Sequence, residues 1–266
     1  QKFMFWVASI VLTLSIFACW GIEPPNSAKT GINGSLKQEI GIKQAWVLLT
    51  SSKQITIFFG FLILYTLGLF LQDPILESYG AEVFNLPISK TTLLNAYWGT
   101  GTLIGLLVGG LWVTPRIGKL TTAKIGCWMI IISLLMLIST GFTKNTNALY
   151  LVMVIFGLAA GIATNSALSL MLDLTLPEVA GTFVGVWGLA QALSRAMGKV
   201  FGGGLLDVGR LISGPENPFL AFSFVFILES AIMLLAIYVL KEVNINRFKK
   251  DTEVKLQAVL MAELDG

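Results

Sequence analysis

Residues 219–240 read FLAFSFVFILESAIMLLAIYVL, a run of 22 positions with one formal charge, Glu229. A bilayer's hydrocarbon core is about 30 Å thick and needs roughly 20 apolar residues in a helix to cross it. This run meets that length, and a soluble core helix has no need of it. Working outward, six more segments qualify: 3–22, 54–72, 91–114, 122–142, 147–171 and 181–206. The whole chain is 55% hydrophobic and 12% charged, with a mean hydropathy of +0.79. Soluble domains carry about a quarter charged residues. The sequence therefore predicts an all-α integral membrane protein with seven transmembrane helices.

Lysine and arginine placement sets the expected orientation. If the first segment runs outside to inside, the inner connections hold Lys29, Lys37, Lys43, Lys53, Arg116, Lys119 and Lys124, and the tail adds Lys241, Arg247, Lys249, Lys250 and Lys255. The outside receives Lys2, Lys90, Lys144 and Arg210. Twelve against four places the C-terminus in the cytoplasm. Segment 3–22 is too long for a signal-peptide core and lacks an A-x-A site, so it reads as a true span in a chain whose start lies upstream.

Residues 23–53 form the long internal connection. Pro24, Pro25, Asn26, Gly31 and Gly34 make its first half turn-rich. Ile40, Ile42, Trp46, Val47 and Leu48 among lysines make its second half an amphipathic stretch suited to the membrane surface. One span, a long basic loop and six spans in short hairpins match a two-half transporter from its sixth helix onward. The division is then 1–22, the last helix of an N-terminal half; 23–53, the cytoplasmic loop; 54–240, a six-helix bundle; and 241–266, a cytoplasmic tail. Glycines four apart, at 101/105/109, 157/161, 181/185 and 198/202, predict close helix packing.

Histidine is absent, and Cys19 and Cys127 lie singly in apolar runs. The sequence thus lacks the usual zinc and haem ligand, any Ser-His or Cys-His nucleophile pair, and any spaced cysteine framework. It contains no P-loop, GxSxG or HExxH. No basic block dense enough for nucleic acid stands outside the tail. The expectation is a protein that is not an enzyme, with no metal site of the common kinds.

A few polar residues stand out. Gln72, Asp73, Glu77, Tyr79 and Glu82 cluster at the expected outer end of the second segment, with Pro74 ending or kinking the helix. If the helix continues, Asp73 and Glu77 share a face. Three carboxylates there suit a cation, a metal-bearing pigment or a basic partner, or else a solvated loop. Asp173 and Glu178 flank an inner hairpin in which Thr175 is placed to cap the next helix. Glu229 is mid-span, where a charge costs about 3 kcal/mol on insertion scales. Arg195, between Gln191 and Lys199, is its candidate partner. Asn95, Trp98 and Asn165 add polar atoms within spans. Trp6, Trp20, Trp46, Trp112 and Trp128 fall near span ends, as an interfacial aromatic belt does.

The runs QDPILESYGAEVF (72–84), TTLLNAYWGTGTLIG (91–105) and LDLTLPEVAGTFVGVWGLAQ (172–191) resemble the PucC-type, bacteriochlorophyll-delivery branch of the major facilitator superfamily. The charged tail, 248–264, looks like that of a cyanobacterial member. The resemblance covers nearly the whole chain. It implies a twelve-helix major facilitator fold, of which this chain holds helix six and the C-terminal half. The superfamily's basic loop survives as Pro115-Arg116-Ile117-Gly118-Lys119 in shortened form.

The resemblance also implies a role in assembling light-harvesting or photosystem complexes in a thylakoid or inner photosynthetic membrane, with chlorophyll or bacteriochlorophyll as bound cargo. Membrane lipids and antenna or photosystem apoproteins are the implied partners. Without histidine, a magnesium ligand from this chain is an oxygen donor. On this reading Gln72, Asp73, Glu77, Tyr79, Glu82, Asn95 and Trp98 bind pigment or partner, and Gln191 and Glu229 line the bundle. Two other readings stand beside it: a proton-coupled solute transporter acting through Glu229 or Asp73, and a structural subunit of a photosynthetic complex.

Overall fold

The structure is a computed structural model, and it describes residues 2–19, 53–175, 180–214, 217–244 and 247. The expected amphipathic stretch, Trp20, Trp46, Glu178 and the tail at 245–246 and 248–266 lie outside these. The chain divides into two compact units, Gln1–Gly41 and Ile42–Gly266. In the first, the described residues form helix α1, Lys2–Cys19.

Among the described residues of the second unit every regular element is helical. Helix α2 spans Lys53–Leu71 and α3 spans Leu76–Phe84. Helix α4, Ile88–Val108, passes through a π-helical turn, Gly109–Val113, into the short α5, Thr114–Ile117. Then come α6, Lys119–Thr143; α7, Thr146–Asp173; α8, Ala180–Ser213; and α9, Pro218–Lys241. Five helical stretches are long and apolar enough to cross a membrane: Lys53–Phe84, Ile88–Ile117, Lys119–Thr143, Thr146–Asp173 and Pro218–Lys241. Helix α8 is 34 residues long, carries Arg195, Lys199, Asp207 and Arg210, and is not among these five.

Turn chemistry sets the helix ends. Asn85 stops α3 in the left-handed conformation (φ 53°), and Pro87 then precedes α4. Asn145 caps α7, its side chain accepting from the N–H groups of Asn147 (3.0 Å) and Ala148 (3.2 Å). Gly118 joins α5 to α6 at φ 83°, a conformation glycine adopts without strain.

The segment expected to end at residue 72 does end there, α2 stopping at Leu71, and the chain re-enters helix at Leu76 after the turn 72–75. Pro74 has no N–H to lose, and Gln72 O accepts from the N–H groups of both Ile75 and Leu76 at 3.0 Å, which closes the turn onto α3. Tyr79 Oη donates to Leu137 O at 2.7 Å, and the Gly141 backbone lies against Tyr79 and the Phe219 ring. Tyr79 is thereby level with the end of α6 and the start of α9. The acidic cluster therefore runs from the 72–75 turn along α3, with Asp73 partly buried and Glu77 and Glu82 exposed.

Glycine brings α4 and α7 backbone to backbone. A Cβ at Gly105 would fall on Leu158 O, one at Gly157 on Trp98 O, and one at Gly161 on Thr102 O. Gly198 and Gly202 do the same for α8 against Leu67, Leu71 and Pro74 of the α2–α3 segment. Gly181 and Gly185 do not: nothing lies within 4 Å of a Cβ at either, because α8 buries only one face there. The core fills in around Phe58, Phe61, Tyr65, Phe156, Phe222 and Phe226, all at most 1% exposed.

Candidate functional site

Helix α2 lies between α8 and α4, and one aromatic ring links all three. The guanidinium of Arg195 (α8) sits 4.7 Å above the centroid of Phe70 (α2). On its other side Phe70 meets Trp98 (α4) edge-on, with centroids 6.4 Å apart. Gln191, one turn before Arg195, accepts from its Nη2 at 3.3 Å. One turn after it, Lys199 pairs with Asp73 at 2.8 Å. Four-residue spacing puts Gln191, Arg195 and Lys199 in one row, and Gly198 and Gly202 let that row approach α2 closely.

At the other edge of the strip, Asn95 Nδ2 donates to Glu77 Oε1 at 2.8 Å. Asp73 and Glu77 therefore do not share an acidic face, since one turns to α8 and the other to α4. Glu82 pairs with Arg210 at 2.6 Å, clasping α3 to α8 beyond the strip. Each of the three carboxylates read as a pigment or cation ligand is committed to a partner within the chain. Among the described residues, no three His, Cys, Asp or Glu side chains form a group able to hold a metal ion.

Two residues expected at the outer face are interior. Tyr79 is fully buried, and its ring packs edge-on against Phe84, Phe222 and Phe226. Gln72 is 2% exposed; its Nε2 donates to Leu69 O at 3.3 Å, and its Oε1 has no partner among the described residues. Gln72 lies in the turn between α2 and α3 and Tyr79 on α3, and both side chains turn into the core.

Glu229 is 0% exposed and neither carboxylate oxygen has a hydrogen-bond partner among the described residues. The expected pairing with Arg195 does not form, because Arg195 lies on the exposed side of α8, over Phe70. At the opposite end of the bundle, Asp173 pairs with Lys119 at 2.7 Å, joining the end of α7 to the start of α6. The Thr175 hydroxyl donates to Met171 O at 2.7 Å and closes α7, and the residues it was expected to cap, 176–179, lie outside the described residues. Asn165 is structural too, its amide donating to Thr114 Oγ1 at 3.3 Å where the π-turn rejoins regular helix.

Sequence reading missed Phe70, an ordinary apolar residue in an apolar run, and the roles of Lys199 and Arg210. The spacing of Arg195 and Lys199 was the available signal for a charged row, but nothing local pointed to Phe70. It also missed the tie between α2 and α7, where the hydroxyls of Tyr65 and Thr164 lie 2.8 Å apart.

Apolar helices of membrane length, packed closely through glycine, define an integral membrane helical-bundle protein. The chain belongs to the PUCC protein family, which it matches over residues 1–248. It is 28% identical over 242 residues to the "Bacteriochlorophyll synthase 44.5 kDa chain" of Rhodobacter capsulatus, covering 88% of this chain and 55% of that one. It is also 28% identical over 240 residues to "Protein PucC" of Cereibacter sphaeroides, covering 88% and 51%. "Protein PucC" of Rhodovulum sulfidophilum is 22% identical over 216 residues, covering 80% and 48%. The chain thus spans about half the length of the curated relatives it matches. No solved structure matches it.

Proposed function

We propose that this chain serves the assembly of chlorophyll-containing light-harvesting or photosystem complexes by handling (bacterio)chlorophyll or its apoproteins, without catalysing covalent chemistry. On this reading it belongs to a major facilitator type bundle. Helices α1 and α8 complete seven spans, and the C-terminal tail is cytoplasmic in a thylakoid or inner photosynthetic membrane. The observation that carries the reading is family membership along almost the entire chain, with relatives whose printed names include a bacteriochlorophyll synthase chain.

The strip formed by Gln191, Arg195, Phe70, Trp98 and Asn95 is the proposed handling surface. Support comes from its mix of aromatic rings and polar groups, which suits a ligand that is mostly apolar with a few polar atoms. The test is gentle affinity purification from native phototrophic membranes, reading absorption and partner identity on one sample. Chlorophyll absorption with substoichiometric antenna or photosystem apoproteins is expected. A colourless preparation without those partners would overturn the reading, and a stoichiometric, lasting complex would favour a structural subunit.

Coupled solute transport is the second reading, and Glu229 is its specific support. Intramembrane carboxylates commonly mark ion or proton pathways. Uptake into proteoliposomes that collapses with the proton gradient and is lost in Glu229→Gln is its expected signature.

A further inference from the structure

Arg195 lies near the midpoint of the 34-residue α8, above a ring near the midpoint of the 32-residue helical stretch Lys53–Phe84. Unlike Lys53, Lys144 and Lys241, which sit at the ends of their own helices, it lies well inside α8, over a ring one residue before the end of α2 at Leu71. It is exposed, and no carboxylate lies within ion-pair distance of it among the described residues. Its neighbour Lys199 is already neutralised by Asp73. The guanidinium has five N–H donors, and Gln191 takes one of them.

Bare hydrocarbon is an expensive environment for such a group, and charged residues at this depth face a polar space and find a counter-charge. Two features fix Arg195 in place. The Phe70 ring holds the flat face of the guanidinium, and the Gln191 amide holds one edge. Its remaining donors keep the planar fork that matches a carboxylate or phosphate with two parallel hydrogen bonds. The ring pair Phe70–Trp98 continues the surface on the apolar side of that fork.

We propose that Arg195 is an oxyanion-recognition residue, and that the α8–α2–α4 strip takes an amphipathic ligand whose carboxylate or phosphate binds Arg195 while its apolar body lies over Phe70 and Trp98. The proposal rests on the strip being a binding surface, not on the cargo being a pigment. Lys199 contributes little to the anion, since Asp73 already neutralises it. Arginine rather than lysine is needed, because only a planar fork both stacks on Phe70 and bonds an oxyanion in two places.

The test uses the full chain in phosphatidylcholine nanodiscs, titrated with pyrene-dodecanoic acid and with its methyl ester, which differ only in the anionic group. The wild-type chain is expected to bind the acid about tenfold more tightly than the ester, the equivalent of one charge-assisted hydrogen-bonded pair. Arg195→Gln should bind both probes alike at the ester's affinity, and Arg195→Lys should recover only part of the preference. Arg210→Gln, which alters the separate clasp to Glu82, should keep the full preference.

Adding phosphatidylglycerol separates the two sources of oxyanion. Displacement of the acid assigns the site to a lipid phosphate, and retention assigns it to a carboxylate. Equal affinity of the wild-type chain for acid and ester, no binding of either probe, or an unchanged preference in Arg195→Gln would each overturn the proposal. None of these bears on co-purification from native membranes, so the assembly role stands or falls separately.

Discussion

The α4–α7 seam and the outward face of α8 are built from the same sequence device and put to opposite use. In the seam, Gly101, Gly105, Gly157 and Gly161 remove side chains where two backbones touch, and nearly every glycine has a carbonyl where its Cβ would be. On α8, Gly198 and Gly202 face α2 in the same way, but Gly181, Gly185, Gly188, Gly203 and Gly204 meet nothing within 4 Å. Their open sides share the helix with Arg195 and Lys199. Four-residue glycine spacing thus announces a face that permits close approach, and only the neighbour decides whether the approach happens.

The largest effect expected from this contrast is at Gly157. Leucine there would drive a branched side chain into Trp98 O, and overpacking on backbone that cannot yield should exceed about 3 kcal/mol. Loss of folded protein on purification, or a collapsed thermal transition by circular dichroism, is the outcome to look for. A Gly157→Leu chain that melts like the parent would show that the seam is not a rigid contact.

Tyr65→Phe sharpens the comparison from within the core. It removes the hydroxyl bonded to Thr164 and leaves the packing intact, so the expected cost is about 1 kcal/mol. A double-mutant cycle with Thr164→Val isolates that bond, and additive losses would mean that the two hydroxyls do not interact.

On the open side, Lys199→Met should destabilise by about 1 kcal/mol or less, because Lys199 is 55% exposed and the pair with Asp73 is screened. Raising the salt should shrink the difference between the two proteins in a thermal melt. Salt-independent loss would place the pair in a dry environment instead.

Gly185→Leu is the smallest expected effect, within about 0.5 kcal/mol for the purified chain in detergent. If it proves as damaging as Gly157→Leu, the open face of α8 is covered in the folded chain and the contrast fails.

Much of this was legible in advance. Span length, the glycine spacings and the depth of Glu229 all follow from helical geometry and bilayer thickness, and both are local rules. The acidic cluster was read less well. Pro74 suggested a helix end, and α2 does stop at Leu71, but the chain re-enters helix at Leu76, and Tyr79, buried among Phe84, Phe222 and Phe226, anchors α3 in the core. Which side chains of that short helix enter the core was set by tertiary packing and by no local signal. The pairing of Glu229 with Arg195 failed for a related reason. Which way each helix is rotated about its axis depends on all its neighbours, and sequence separation carries no information about that.

By itself the sequence determined that this chain is a membrane protein, roughly where its helices run and which family it belongs to. These follow from hydrophobic length and from motifs read along one dimension. Only the tertiary structure decided which charges neutralise each other and which is left over. Asp73 found Lys199, Glu82 found Arg210 and Asp173 found Lys119. Arg195 was left with a ring and an amide. An ion pair forms over a few ångströms of space, and between residues 54 to 128 positions apart only the packing of helices sets that distance.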